Sequence, residues 1–169
     1  AHCNFHLRME ESNRDYNFVL TLADKYQSPI QTIDFETIKY STENNISFEM
    51  AARELRYSWF EKLLIEFDAQ AIVTGHHADD NIETILLNLS RGTGLKGLTG
   101  MPVRNGNVVR PLLSSSRTEI KQYLAENKLM FVEDSTNSST EIIRNKIRHQ
   151  LIPLMEEINA NQKASSGKL

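Results

Sequence analysis

The chain has 169 residues, 40% of them apolar and 24% charged, with a formal net charge of −3. That length suits one domain with a core of its own, and no run of about 18 apolar residues is present to cross a membrane. The single cysteine, Cys3, excludes an internal disulfide framework, no CxxC pair occurs, and nothing has the layout of a signal peptide, so the composition suits a soluble, cytoplasmic piece of protein.

Residues 1–7 read as a strand with His2 and His6 on one side. Ser12 to Gln27 predicts a helix, because Phe18, Leu22 and Tyr26 fall on one face. Ser28-Pro29 marks a turn, and Ile30 to Phe35 alternates as a further strand. Residues 36–46 are polar and contain Asn44-Asn45, which predicts a loop or a frayed helix. Ser47 has the position of an N-cap for a helix to about Phe67, with Met50, Leu55, Trp59, Leu63 and Leu64 available to pack on a sheet. Arg53 follows Glu49 by one turn, and such a pair on a helix surface contributes about 0.3–0.5 kcal/mol.

Gln70 to Thr74 is short and rich in β-branched residues, as a buried parallel strand is, and it ends at Gly75. Asp79 to Ser90 carries Ile82, Ile85, Leu86 and Leu89 at helical spacing. The polar cluster His76-His77-Ala78-Asp79-Asp80 therefore caps a strand and opens a helix. Ligands of open α/β sheets sit beyond the carboxyl ends of the strands, where Gly75 lets a ligand approach the backbone. Asp80 and Glu83 share a face near the positive end of the helix. They are either first-turn capping residues or a pair able to hold magnesium together with substrate phosphates. The adjacent histidines suggest zinc or di-iron less well, since no second histidine stands four residues on.

Gly92, Gly94, Gly97 and Gly100 predict a mobile loop ending at Met101-Pro102, either a connector or, with Arg91 and Lys96, a flap over pyrophosphate. Asn105-Gly106 has the character of a hairpin turn before a short strand, Val108 to Arg110. Residues 1–90 hold 7 Lys and Arg against 15 Asp and Glu, whereas residues 91–121 hold Arg91, Lys96, Arg104, Arg110, Arg117 and Lys121 against Glu119 alone. That basic stretch is either a solvated surface or a contact for phosphates of ATP or RNA. Ser116 and Glu119 have capping-box spacing for a helix to Asn127, and Leu129 to Val132 reads as a short strand. Asp134-Ser135-Thr136-Asn137 is a polar loop. Glu141 to Arg148 predicts a helix with Arg144 and Arg148 on one face, and Pro153 marks a break or a new helix start. No repeat or low-complexity segment appears.

The stretch Thr74-Gly75-His76-His77-Ala78-Asp79-Asp80-Asn81-Ile82-Glu83-Thr84, followed by Leu89-Ser90-Arg91-Gly92-Thr93-Gly94-Leu95-Lys96-Gly97-Leu98, resembles the second signature of the N-type ATP pyrophosphatases, the PP-loop family. Within that family it is most similar to the tRNA(Ile)-lysidine synthetases. The opening Ala1 to Arg8, the segment Glu49 to Tyr57, and Asp134 to Asn137 with Arg144 to Arg148 agree with it, so the resemblance spans roughly residues 1–155 in order.

It implies an α/β fold with three layers, a mainly parallel sheet with helices on both faces, of the adenine nucleotide alpha hydrolase-like kind. The family's Ser-Gly-Gly-x-Asp-Ser loop is absent from the sequence. The first strand is therefore expected to be missing, residues 1–158 to be a truncated PP-loop domain and 159–169 a linker or disordered tail.

The implied activity is ATP-dependent ligation of lysine to C2 of the wobble cytidine of an isoleucine tRNA, with this piece inactive alone. ATP, Mg2+, lysine and tRNA(Ile) are the implied cofactors and partners, and a homodimer is left open. By resemblance Asp80, Glu83, Arg53 and Arg144 are catalytic, with Asp80 holding the metal. His6, Gly75, His76 and Arg91 are expected to bind ATP; Lys96, Arg104 and Arg110, from the basic stretch, are expected to bind tRNA. The alternatives are another tRNA-modifying member such as a thiolase, disfavoured by the lack of paired cysteines, and a non-catalytic nucleotide- or RNA-binding module.

Overall fold

A computed structural model describes residues 1–6, 10–133 and 143–166, with side chains to residue 159. Arg8, Asp134 to Asn137 and Glu141, all singled out in the sequence, lie outside the described residues. The chain divides into two compact units, 1–72 and 73–169.

In the first unit β1 (His2–Asn4) leads through α1 (Glu10–Lys25) to β2 (Thr32–Asp34), and the strands pair in parallel with Asn4 opposite Asp34. Glu10 and Glu11 lie in the first turn of α1 and Lys25 in its last, the charge order the helix dipole favours. Residues 36–46 are more regular than their polarity suggests, because α2 runs Thr37–Asn44 and Asn45 closes it in the left-handed conformation at φ 51°. Its inward positions are small polar residues that satisfy themselves: buried Thr37 donates to the Phe5 carbonyl at 3.1 Å and buried Ser41 to the Ile46 carbonyl at 2.6 Å. A pattern of apolar residues cannot reveal such a helix.

The third helix, α3 (Phe48–Glu66), starts at Ser47, whose hydroxyl accepts the Met50 N–H at 3.3 Å. Its buried residues are Ala51 and Ala52, while Met50, expected to pack, is exposed. Phe5 stacks on Phe35, which meets the edge of Trp59. These rings and the alanines make up the small core of this unit.

In the second unit β3 (Ile72–Val73) precedes α4 (Ala78–Ser90), the short α5 (Leu95–Leu98), and a hairpin of β4 (Arg104–Asn105) and β5 (Val108–Val109). The sheet order is β3-β5-β4, the hairpin is antiparallel, and Thr74 N–H donates to the Val109 carbonyl at 3.0 Å. Among the described residues the sheet is thus two short sheets, one wholly parallel and one containing an antiparallel pair, where one mainly parallel sheet was expected. Register puts Asn105 opposite Val108, so the turn is Gly106-Asn107, one residue later than expected, with Gly106 at φ 58°.

Next, α6 (Arg117–Glu126) has the reciprocal cap expected of Ser116 and Glu119, with Ser116 N–H to the carboxylate at 2.7 Å and Glu119 N–H to the hydroxyl at 3.1 Å. Leu129 to Val132 makes no strand. Finally α7 (Ile143–Lys146) passes through a π-helical turn (Ile147–Leu151) into α8 (Ile152–Ser166). Pro153 has no N–H to donate one turn back, and the wide turn just before it absorbs that loss. The stretch from Asn159, expected as linker, continues α8 to Ser166.

Cys3 is half-buried in β1, and desolvation pushes its thiol up to about 11 against the nearby Arg56 charge. At pH 8 its alkylation in the folded chain is therefore expected to be far slower than in urea, where a thiol titrates near about 8.5. Equal rates would contradict the buried placement. Because the folded state holds the proton more tightly, this group's contribution to stability falls as pH rises from the unfolded value through the folded one.

Candidate active site

Every residue at the start of α4 has a defined electrostatic job. His77 is its N-cap, in extended conformation, and the His77 N–H donates to Asp80 Oδ2 at 3.0 Å. Asp79 turns the other way, accepting the Arg117 N–H at the start of α6 at 2.8 Å, while Ala78 N–H donates to the Ser115 carbonyl at 2.9 Å. The His77 ring lies between two carboxylates, Nε2 3.5 Å from Asp80 and Nδ1 3.6 Å from Asp79, and Nδ1 is buried with no hydrogen-bond partner.

Asp80 and Glu83 share a face as their spacing predicts, but their surroundings differ. Glu83 is 1% exposed and accepts from Arg148 Nε at 2.6 Å. The same guanidinium lies 3.8 Å from Asp80 Oδ1, beyond hydrogen-bond length. Arg144, one turn earlier, donates to the Thr84 hydroxyl at 3.2 Å, and that hydroxyl donates to the Asp80 carbonyl at 2.8 Å. Two arginines from the α7 segment thus meet two acids and a threonine of α4. Buried Asn145 and Ile147 lie between the arginines in sequence, and Leu87 is buried on α4.

Arg148 was not among the residues assigned to the site. Its signal was its four-residue spacing from Arg144, together with the rule that a carboxylate facing a core requires a counter-charge. Glu83, expected to be catalytic, has its carboxylate buried and engaged by Arg148. Asp80 keeps Oδ1 free of any hydrogen bond to Arg148, which fits a magnesium ion held by one carboxylate plus phosphates and waters. Among the described residues no three His, Cys, Asp or Glu side chains converge as a metal cage.

The remaining predicted residues fall in several places. Arg53 belongs to the first unit, where it is exposed and lies over the Tyr57 ring at 4.8 Å; it makes no ion pair with Glu49. His6, also in that unit, is held at φ 52° just past β1, bonding Asp34 at 2.7 Å and donating its N–H to buried Asn4 at 3.1 Å. In the second unit Gly75 is exposed and a Cβ placed on it would meet nothing within 4 Å, while His76 Nδ1 lies 2.9 Å from the Thr74 hydroxyl. Arg91 caps the far end of α4, eleven residues beyond Asp80, or about 16 Å at helical rise, too far to share one phosphate with it.

Lys96 and Arg104 are exposed. Arg110 is corrected as an RNA contact: it is 6% exposed and gives its guanidinium to the Pro102 carbonyl at 2.9 Å.

Residues 1–155 match the family model described as the PP-loop domain, and the chain belongs to that family, whose fold is α/β. Among curated proteins it is 56% identical over 165 residues to the tRNA(Ile)-lysidine synthase of Bacteroides thetaiotaomicron, a match over 98% of this chain and 39% of that protein. It is 51% identical over 160 residues to the same-named protein of Porphyromonas gingivalis strain W83 (94% and 35% covered), and 42% identical over 150 residues to that of Thermosipho africanus (89% and 35% covered). The chain thus spans little more than a third of the length of these relatives. No described helix is long and apolar enough to cross a membrane.

Truncating Arg148 would strand a buried carboxylate, so Arg148→Ala is expected to lower the unfolding free energy in urea by about 3–5 kcal/mol. Adding Glu83→Gln to that variant should recover part of the loss. A single variant as stable as the parent would mean that the pair is solvated.

Proposed function

We propose that the enzyme built on this domain ligates lysine to C2 of the wobble cytidine of an isoleucine tRNA in two steps, in the cytoplasm. The cytidine oxygen attacks the α-phosphate of ATP and pyrophosphate leaves, giving an adenylated base. The ε-amine of lysine then displaces AMP and loses a proton. What carries the reading is an acid-and-arginine cluster at the N-terminus of α4 in a chain 56% identical over 165 residues to a protein named tRNA(Ile)-lysidine synthase. The three-layer arrangement of helices about the sheet remains part of this proposal, and a homodimer is left open.

The roles follow from the geometry. Asp80 would hold Mg2+, which when bound supplies positive charge to the phosphates. Arg148 holds the buried Glu83 carboxylate in place, and Glu83 in turn fixes the guanidinium beside Asp80. The exposed Arg144, anchored through Thr84, would offer its free edge to the phosphoryl oxygens as charge develops on them. Gly75 supports an ATP site because neither a positive φ nor packing requires glycine there, leaving room for a bound group. His76 is the further nucleotide contact proposed in this unit; His6 and Arg53 are proposed, within the first unit, as nucleotide-binding residues. Lys96 and Arg104 are proposed for RNA phosphates, and Arg91, at the far end of α4 from Asp80, for a part of ATP away from that carboxylate.

In the full-length enzyme Asp80→Ala and Arg144→Ala are each expected to slow pyrophosphate release by about 10²–10³. Unchanged release in both would refute the assignment. Neutralising Lys96 and Arg104 should flatten the salt dependence of tRNA binding by about 0.7 in slope for each RNA phosphate no longer neutralised, with KM for ATP unmoved. A defect in ATP binding instead would place these two residues at the nucleotide.

A further inference from the structure

The glycine-rich segment after α4 is fastened down. Asn88 Nδ2 donates to the Gly97 carbonyl at 3.0 Å, Asn81 Oδ1 accepts the Met101 N–H at 2.6 Å, and Arg110 donates to the Pro102 carbonyl at 2.9 Å. Asn81 and Asn88 are seven residues apart, two helical turns, and so lie on one face of α4, turned away from that of Asp80 and Glu83. Two glycines are explained by this arrangement. A side chain at Gly97 would run into Thr93, and one at Gly100, at φ 68°, would run into the Asn81 carboxamide. Within the segment, Gly97 N–H closes on the Gly94 carbonyl at 2.8 Å, making the single turn of α5 that carries exposed Lys96. The glycines give close approach to a helix face, where flexibility was expected of them.

We infer that Asn81 is a positioning residue for RNA: it sets the path of residues 97–101 along α4, and thereby the place of Lys96 relative to the Asp80 end of the same helix. This rests on the RNA-modifying reading above. The argument is geometric. Met101 N–H has one acceptor, a side chain of the very helix that bears the acids, so the basic segment and the acid cluster share one rigid support. A long flexible Lys96 gains phosphate affinity when its backbone is already in place, since less ordering is left to be done on binding. Arg110 belongs to the same device, since its buried guanidinium holds the exit of the segment.

The test uses the full-length enzyme with Asn81→Ala and with Asn81→Asp, which keeps an acceptor oxygen at the same place. Hydrogen exchange at the Met101 amide should be slow in the parent and in Asn81→Asp, and faster by at least about tenfold in Asn81→Ala, the equivalent of one lost hydrogen bond. KM for tRNA in Asn81→Ala should rise by about the same factor while kcat at saturating tRNA and KM for ATP stay within about twofold. A merely structural role would lower the yield of active enzyme and hence kcat, leaving KM alone, and that pattern overturns the inference. Unchanged Met101 exchange overturns it at the first step. Faster exchange with unmoved tRNA affinity overturns the RNA role. If the parent enzyme binds no tRNA while the exchange pattern holds, the functional reading itself fails and takes the RNA role with it, leaving the fastening in place.

Discussion

The second unit depends on one buried ion pair. Glu83 is an acid on the inward face of an amphipathic helix, and an ionised carboxylate with almost no solvent contact is tolerable only beside a fixed cation. Arg148 supplies that cation from a segment 65 residues later in the chain, at 2.6 Å. Because the requirement is geometric as well as electrostatic, it holds the π-helical turn against α4 in one register. Arg144, one turn earlier, is then carried to Thr84, and the Arg148 guanidinium is set 3.8 Å from Asp80 Oδ1. Such a pair is worth little as net stability compared with apolar packing, but it is intolerant of losing either member. Its main product is position.

The α4 helix serves as a beam whose faces have separate uses. The face of Asp80, Glu83, Thr84 and Leu87 takes the two arginines, with the buried Leu87 side chain completing it. The face of Asn81 and Asn88 takes the backbone of the glycine-rich segment. The first turn is tied to α6 through Asp79 and Ala78. Three neighbouring pieces of chain are thus indexed to one helix, and the polar stretch at its N-terminus is satisfied almost atom by atom. The buried, unbonded Nδ1 of His77 is the exception, between two acids and next to the carboxylate proposed for the metal.

In the first unit the equivalent economy is in the βαβ turn. The parallel pairing of β1 and β2 brings Asn4 beside Asp34, and His6, just past the strand in a left-handed conformation, bonds that aspartate. Phe5, Phe35 and Trp59 close the core behind it, with Arg56 over the Phe5 ring. The end of the strand pair is therefore a stiff, polar edge, the kind of place where open α/β sheets present backbone to ligands.

Local chemistry by itself determined a good part of this. The N-cap at Ser47, the capping box of Ser116, the helix from the Asp79 region to Ser90 and the shared face of Asp80 and Glu83 are all set by spacings within a few residues, where backbone geometry leaves little choice. The motif from Thr74 to Thr84, in combination with the segments that agree with it in order, likewise placed the chain in its family. What only the tertiary structure decided is which polar groups meet over long separations. Nothing in the sequence distinguishes Arg148, bound to a buried acid, from Arg144, exposed at its neighbour, or Arg110, buried under Pro102, from Arg104, exposed on the hairpin. Nor could glycine content tell a mobile loop from a segment pressed against two asparagines. The physical reason is common to all three: the charge, donor or missing side chain is a local property, whereas burial and partner depend on a surface contributed by another part of the chain.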